Sequence, residues 1–360
     1  MKVLIAAGGT GGHIYPGIAV AKEIMRRDAN SKVLFVGTSR GLETKIVPEN
    51  GFELALINSA GLKNVGLLGK LKGLLILPKS FLEARALIKD FQPNVVVGAG
   101  GYVSGPVLLM ASLMRFPTLV MDSNALPGFT NRRLAPFVTK AALTFEEAVK
   151  FFGKKAVVTG NPVRKEFFDI PPKARDNSKF SVLIFGGSQG ARAINNAMVD
   201  ALKNLQLFKD KLFITHQTGE HDFETVQKGY AENGWKTANI RRYISDMVSE
   251  FAASDLIISR AGATTCAEVA AAGKAALMIP LPTAADDHQR KNAEALEKSG
   301  AARMILQKDL SGESLAKQIA KFINAPEKIT EMEKSAKKLA RKDAAEATVN
   351  VIEQLLVNKN

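Results

Sequence analysis

Two stretches carry residues whose types and spacing suit the capture of a charged small molecule. One is Ala6-Ala7-Gly8-Gly9-Thr10-Gly11-Gly12-His13, between the apolar run Val3-Leu4-Ile5 and the apolar-periodic segment Ile14 to Met25. Its echo comes much later, as Val182-Leu183-Ile184-Phe185-Gly186-Gly187-Ser188-Gln189-Gly190. Each reads as strand, glycine loop, helix. Glycine permits positive φ and lets a ligand approach the backbone closely. The loop amides, with the helix dipole behind them, favour negative charge. A further glycine loop, Gly98-Ala99-Gly100-Gly101-Tyr102-Val103-Ser104-Gly105-Pro106, follows Val95-Val96-Val97, and Pro106 suits the first turn of a helix.

The loops do not spell the familiar nucleotide signatures. A dinucleotide fingerprint needs Gly-x-Gly-x-x-Gly; from Gly9 the third glycine is replaced by Ile14, and from Gly98 by Val103. No acid ends the second strand, where Gly37-Thr38-Ser39-Arg40 stands. No Gly-Lys pair precedes Ser or Thr, which excludes a Walker loop. The histidines His13, His216, His221 and His288 are scattered without zinc spacing, and Asp286-Asp287 reads as a solvated acidic pair. No metal and no cofactor are expected, so a diphosphate would be neutralised by amides, helix ends and arginines. In the second half, Ser259-Arg260-Ala261-Gly262-Ala263-Thr264-Thr265-Cys266-Ala267-Glu268 opens a helix after a strand. Small residues leave the first amides free for phosphate. Glu268, one turn beyond Thr264, could accept both hydroxyls of a ribose, or could simply be a solvated or capping acid. His288-Gln289 and Asn292 open another helix with side chains suited to sugar hydroxyls.

The elements that must hold these residues alternate regularly. Strands are expected at Lys2–Ala7, Lys32–Gly37, Phe52–Ile57, Asn94–Gly98, Thr118–Met121, Ala141–Thr144 and Lys154–Val158, with helices such as Ile14–Arg27 and Lys79–Phe91 between them. After the turn-rich stretch from Gly160 to Asn177 the alternation resumes. Its strands are Ser181–Phe185, Leu212–Thr215, Leu256–Ser259, Ala275–Ile279 and Arg303–Ile305. Its helices are Ala191–Leu205, Asp222–Glu232, Thr264–Ala272, Gln289–Ser299 and Gly312–Asn324, with charged helix from Pro326 onward. Short apolar strands separated by helices require doubly wound parallel sheets. The 360 residues suit two α/β domains.

The net charge of +14 is lopsided: residues 1–160 hold 20 Lys and Arg against 10 Asp and Glu, the remainder 29 against 25. A basic first half suits nucleic acid, an anionic membrane surface or an anionic substrate; sparse aromatics and the lack of a motif argue against nucleic acid. The single cysteine, Cys266, permits no internal disulfide and reads as a small core residue in a reducing compartment. No secretory signal or membrane-spanning run is visible. Leu62 to Phe81 interleaves leucines with Lys63, Lys70, Lys72 and Lys79, which describes either an interfacial amphipathic segment or an ordinary core helix.

The motifs together resemble the MurG family of peptidoglycan N-acetylglucosaminyltransferases, glycosyltransferase family 28. They are Gly8 to His13, Gly100 to Pro106, Asn124-Ala125-Leu126-Pro127-Gly128, Gly160-Asn161-Pro162-Val163-Arg164, Gly186 to Ala191, Arg260 to Ala263 with Glu268, and His288-Gln289 with Asn292-Ala293, in order up to about residue 300. The resemblance implies the GT-B fold, two Rossmann-like domains facing a cleft. Residues 1–160 would form the acceptor and membrane-associated domain, 161–340 the UDP-N-acetylglucosamine domain, and 341–360 a helix packing back on the first. The implied reaction is an inverting, metal-independent transfer of N-acetylglucosamine from UDP-N-acetylglucosamine to the 4-hydroxyl of undecaprenyl-diphosphate-linked muramyl-pentapeptide, on the cytoplasmic face of the plasma membrane. Thr10, Gly11, Gly12 and Asn124 would meet the sugar side of the donor, and Arg164 and Ser188 the diphosphate. Ile244, Ala263, Thr264 and Thr265 would surround uracil and phosphates, with Glu268 on the ribose and Gln289 on the sugar hydroxyls. A base must take the acceptor proton. His13 is the first candidate and Asp122 the second, although the family often has Glu-Gln where Asp122-Ser123 stands. His13 could instead only orient substrate or cap its helix. Rival readings are another GT-B transferase on a lipid acceptor, a UDP-N-acetylglucosamine epimerase, and a two-domain binding protein without catalysis.

Overall fold

The computed structural model describes residues 1–9, 11–39, 41–59, 67–174, 178–187 and 189–357, with backbone only for 67–76. The chain forms two compact units, Met1–Val163 with Arg341–Asn360, and Arg164–Ala340.

The first unit holds β1 (Lys2–Ala7), α1 (Gly11–Arg27), β2 (Lys32–Gly37), α2 (Glu43–Glu49), β3 (Glu53–Leu56), α3 (Leu67–Phe91), β4 (Val95–Gly100), α4 (Ser104–Leu113), β5 (Thr118–Asp122), α5 (Phe129–Leu134), β6 (Lys140–Leu143) and β7 (Ala156–Val158). Its sheet runs β3-β2-β1-β4-β5-β6-β7, every pair parallel. Alternate residues of β1 serve opposite faces. Val3, Ile5 and Ala7 pack with Ile14, Ile18 and Ile24 of α1, while Leu4 and Ala6 pack with Val107, Leu108 and Ala111 of α4. Burial on both faces is why the strand reads as a continuous apolar run.

The second unit holds β8 (Phe180–Phe185), α6 (Arg192–Ala201), β9 (Leu212–Gln217), α7 (Phe223–Glu232), β10 (Asn239–Arg241), α8 (Met247–Ala253), β11 (Leu256–Ser259), α9 (Ala263–Ala272), β12 (Ala275–Met278), α10 (His288–Lys298), β13 (Ala302–Met304), α11 (Gly312–Ile323) and α12 (Pro326–Leu339). Its order is β10-β9-β8-β11-β12-β13, again all parallel. The last helix, α13 (Ala344–Val357), belongs to the first unit. There Arg27 of α1 donates to Glu353 at 2.8 Å and to Asn350 at 2.7 Å.

In each sheet the strand order reverses beside the first strand, between β1 and β4 and between β8 and β11. Such switch points open a crevice beyond the carboxyl ends of the strands. All three glycine loops, and the start of α9, lie there.

Some elements depart from the sequence expectation. α1 begins at Gly11, so Gly11, Gly12 and His13 form its first turn. β10 escaped notice because three residues give no measurable periodicity, and α2 because Pro48 interrupts its seven. Lys154 lies in a 3-10 turn ahead of β7, and Leu202–Phe208 continues α6 as 3-10 helix.

Candidate active site

In the first unit two glycine loops interlock. A Cβ on Gly101 (φ +82°) would overlap the Gly8 carbonyl, and one on Gly100 (φ +116°) would overlap the His13 imidazole. Only glycine fits such contacts at positive φ. The register between β1 and β4 shifts at this point, with Ala6 facing Gly98 and Ala7 facing Gly100. The Ser104 hydroxyl, at the start of α4, receives the Gly100 N–H at 3.0 Å and donates to the Ala6 carbonyl at 2.9 Å. His13 is therefore a half-buried side chain pressed against the second loop, held by backbone on one side.

The Glu43 carboxylate lies beneath the first loop and was not anticipated. It accepts the Gly9 N–H at 2.9 Å, the Thr38 N–H at 2.8 Å and the Thr38 hydroxyl at 2.9 Å. Burial opposes its charge, yet the amides of Thr38, Glu43 itself and Gly9 outweigh that and hold its carboxyl below the usual range. The sequence expectation that the loop amides await an external anion needs correction at Gly9, whose N–H is already spent on an internal one. The legible signal was Gly37 and Gly41 just ahead of an acid past the end of β2.

Asp122 closes β5 and is buried. Its oxygens accept from the Asn124 and Gly128 amides, each at 3.0 Å, and from the Asn131 side chain at 2.8 Å. Burial raises its carboxyl above the ordinary range despite these donors. Asp122 thus shapes the 123–128 turn and sets Asn124 in place. Ser123 donates to Asn161 at 3.0 Å.

In the second unit the loop after β8 packs backbone to backbone against the loop after β9. A Cβ on Gly190 would overlap the Thr218 carbonyl, and one on Gly219 the Gln189 carbonyl. Gln217, buried at the end of β9, donates to the Gly187 carbonyl at 2.9 Å and accepts the Ile244 N–H at 2.7 Å. It joins the glycine loop to the segment expected to meet uracil, and sequence reasoning missed it. Below it, His216 pairs with Asn195 at 3.0 Å and Tyr230 at 3.1 Å. Burial pushes the imidazole down to about 3 and keeps it neutral. Asn195 completes the network through the Thr218 carbonyl at 3.0 Å and Asp222 at 2.9 Å.

α9 begins at Ala263 behind Gly262 without a side-chain cap, so its first amides have no side-chain partner among the described residues. The Thr264 hydroxyl oxygen is buried and has no partner among the described residues. One turn on, Glu268 is 15% exposed and lies 3.7 Å from Arg164. Burial pushes its carboxyl up to about 7 against the pull of the guanidinium. Thr264, Thr265, Glu268 and Arg164 are thus neighbours in one unit. Gln289 opens α10 with its Oε1 on the Leu281 N–H at 3.0 Å, leaving the amide nitrogen to donate. Asp286 and Asp287, just before, both have positive φ, +55° and +56°. Arg260 turns inward instead, donating to the Ile279 and Pro280 carbonyls and to Gln307 at 2.7 Å, so it braces the strand ends. Thr10 and Ser188 lie outside the described residues. No three His, Cys, Asp or Glu side chains converge among the described residues.

The glycosyltransferase family 28 N-terminal domain matches residues 3–143, and its C-terminal domain matches residues 181–348. The UDP-N-acetylglucosamine–N-acetylmuramyl-(pentapeptide) pyrophosphoryl-undecaprenol N-acetylglucosamine transferase of Myxococcus xanthus is 47% identical over 359 residues, 99% of this chain and 94% of that protein. Its counterpart from Syntrophus aciditrophicus is 47% identical over 352 residues, 97% of each. The crystal structure of Acinetobacter baumannii MurG superposes with a TM-score of 0.80 at 32% identity, covering 98% of this chain and 99% of that one. Two all-parallel units, glycine loops at both switch points and full-length identity of this order leave one conclusion: the chain belongs to glycosyltransferase family 28, and within it to the MurG N-acetylglucosamine transferases.

Proposed function

We propose that the chain moves N-acetylglucosamine from UDP-N-acetylglucosamine to the 4-hydroxyl of undecaprenyl-diphosphate-linked muramyl-pentapeptide in one inverting displacement. The acceptor oxygen bonds to the anomeric carbon as the bond to UDP breaks. The hydroxyl proton passes to His13, and Asp122 organises the turn carrying Asn124. Developing charge on UDP is met by the N-terminal amides of α9, the Thr264 hydroxyl and Arg164. Glu268 takes the ribose hydroxyls, Ile244 lies at the uracil, and Gln289 and the α1 turn at Gly11 and Gly12 meet the sugar. Thr10 and Ser188 keep the roles their motifs imply.

The observation that supports this reading best is the buried Thr264 hydroxyl, without a partner among the described residues, at an uncapped helix start one turn from a desolvated carboxylate. A buried hydroxyl left unsatisfied costs about 1–3 kcal/mol, which a ligand oxygen would recover. The decisive experiment supplies UDP-N-acetylglucosamine and the lipid-linked acceptor with excess EDTA and follows release of UDP. Turnover should persist at the metal-replete rate. Strict dependence on a divalent ion would contradict the account of the leaving group, and UDP release without acceptor would favour an epimerase-like or hydrolytic reading.

The lipid acceptor implies peripheral work at the cytoplasmic membrane face. No helix among the described residues is long and apolar enough to cross a membrane. We assign membrane contact to Leu62–Phe81, most of whose side chains lie outside the described residues. Replacing Leu71 and Leu74 together by Ser should weaken binding to phosphatidylglycerol vesicles by at least about a hundredfold, since each leucine contributes about 1.5–3 kcal/mol when buried. Unchanged vesicle binding would return the segment to the core-helix reading.

A further inference from the structure

We propose that Glu43 is a positioning residue for the transfer reaction: its carboxylate is the built-in anion that sets the first glycine loop and, through it, the His13 imidazole. The proposal rests on the reading of His13 as base.

The carboxylate occupies a cavity made of backbone. A Cβ on Gly41 would overlap Oε2, one on Gly37 would overlap the Glu43 side chain, and one on Gly8 would lie 2.9 Å from Oε1. Three glycines from three segments therefore leave room for one acid, which is fully buried. Its three donors, Gly9 N–H, Thr38 N–H and Thr38 hydroxyl, join the end of β2 to the loop after β1. None of the ion pairs among the described residues involves it. Among the described residues only amide and hydroxyl dipoles balance the charge, so it is directional: movement of Gly9 forfeits a charge-assisted bond in a low-dielectric site.

The path from Glu43 to His13 is short and made of close contacts. Glu43 meets Gly8 and Gly9; the Gly8 carbonyl fills the place of a Cβ at Gly101; the neighbouring Gly100 offers its bare Cα to the His13 ring. Packing this tight transmits a displacement rather than absorbing it. The second unit places an acid in the corresponding stretch after β9, but Asp222 pairs with Arg192 at 3.0 Å and with Asn195, and its oxygens take no N–H from the Gly186–Gly190 loop in any bond among the described residues. Among the described residues, one loop is thus tied down by an internal anion and the other is not. This matches a catalytic imidazole on the first and an anionic ligand on the second.

The test is steady-state kinetics on Glu43→Gln and Gly41→Ala. The first keeps the shape and removes the charge; the second keeps the carboxylate and displaces it. Each should lower kcat about tenfold to a hundredfold, the usual consequence of a misplaced catalytic group. The KM for UDP-N-acetylglucosamine should stay within about twofold, because the proposed contacts to uracil, ribose and diphosphate are in the other unit and only those of Thr10, Gly11 and Gly12 to the sugar lie on this loop. The double variant should be no slower than the worse single one, since both break the same bond. Wild-type kcat in Glu43→Gln, or fully additive losses, would overturn the proposal. If Glu43→Gln does not fold, Gly41→Ala decides alone: wild-type kcat there sinks the idea. A His13→Ala variant run alongside separates the two claims. If it stays active the base assignment fails; if it is dead while Glu43→Gln is normal, only the role of Glu43 fails.

Discussion

Replacing His13 by Ala should lower kcat by about two to four orders of magnitude, the usual contribution of a positioned general base. The KM for UDP-N-acetylglucosamine should barely change, because Arg164, Thr264, Glu268 and Gln289 all belong to the other unit. The imidazole sits in the first turn of α1 against the bare Cα of Gly100, so removing it leaves a gap without touching a backbone hydrogen bond of β1 or β4. Folding should survive, and the loss should fall on the chemical step. His13→Gln separates base from orienting group, since an amide can hold a substrate hydroxyl and cannot accept its proton at neutral pH. If His13→Gln keeps most of the turnover, the residue orients and does not abstract, and the acceptor proton must leave by another route.

How legible was this machinery in the sequence? Strands such as Val3-Leu4-Ile5 and Val95-Val96-Val97 were plain because both faces of a parallel sheet are buried, which leaves a solid apolar run. The start of α9, where the donor site is proposed, was legible for a similar reason: small residues open the helix, with Glu268 one turn along. Glu43, Gln217 and Asn195 were not legible. Each acts through one or two hydrogen bonds to backbone far away in sequence, 34 residues in the case of Glu43 and Gly9. No spacing rule encodes such a bond; only the crossing of strands brings its ends together. No acid ends β2, as Gly37-Thr38-Ser39-Arg40 indicates; what the spacing did not show is that Glu43, six residues on, turns inward onto the loop after β1. Asp122 shows the converse. Its type and place suggest a base, and its hydrogen bonds to Asn124, Gly128 and Asn131 show a bracing contact that no spacing announces.

Glu268→Gln should have opposite effects on donor binding and on stability. The carboxyl is 15% exposed, and burial lifts it to about 7 despite Arg164 at 3.7 Å. A carboxylate accepting two ribose hydroxyls is best met in its ionised form, so donor binding favours loss of the proton. Donor affinity should then fall about tenfold per pH unit below about 7 and level off above it. In Glu268→Gln affinity should be weaker by one to two orders of magnitude and flat with pH. Stability runs the other way. The folded-state value is raised from 4.5 to about 7, so the folded chain holds this proton more tightly than the unfolded one. Its stabilising contribution is complete below 4.5 and is lost as pH rises through about 7, a cost of up to about 3 kcal/mol for the free protein at pH 8. Removing the charge relieves that cost, and Arg164, half exposed, is left in contact with water. The variant should therefore unfold at higher temperature than the wild type at pH 8 and at the same temperature near pH 4. Thermal scans at the two pH values, paired with UDP titrations, measure both effects on one sample. A variant less stable at pH 8 with unchanged UDP affinity would make Glu268 a structural acid. The ribose would then need another partner, and a desolvated carboxylate beside an open helix start would lose its reason for being there.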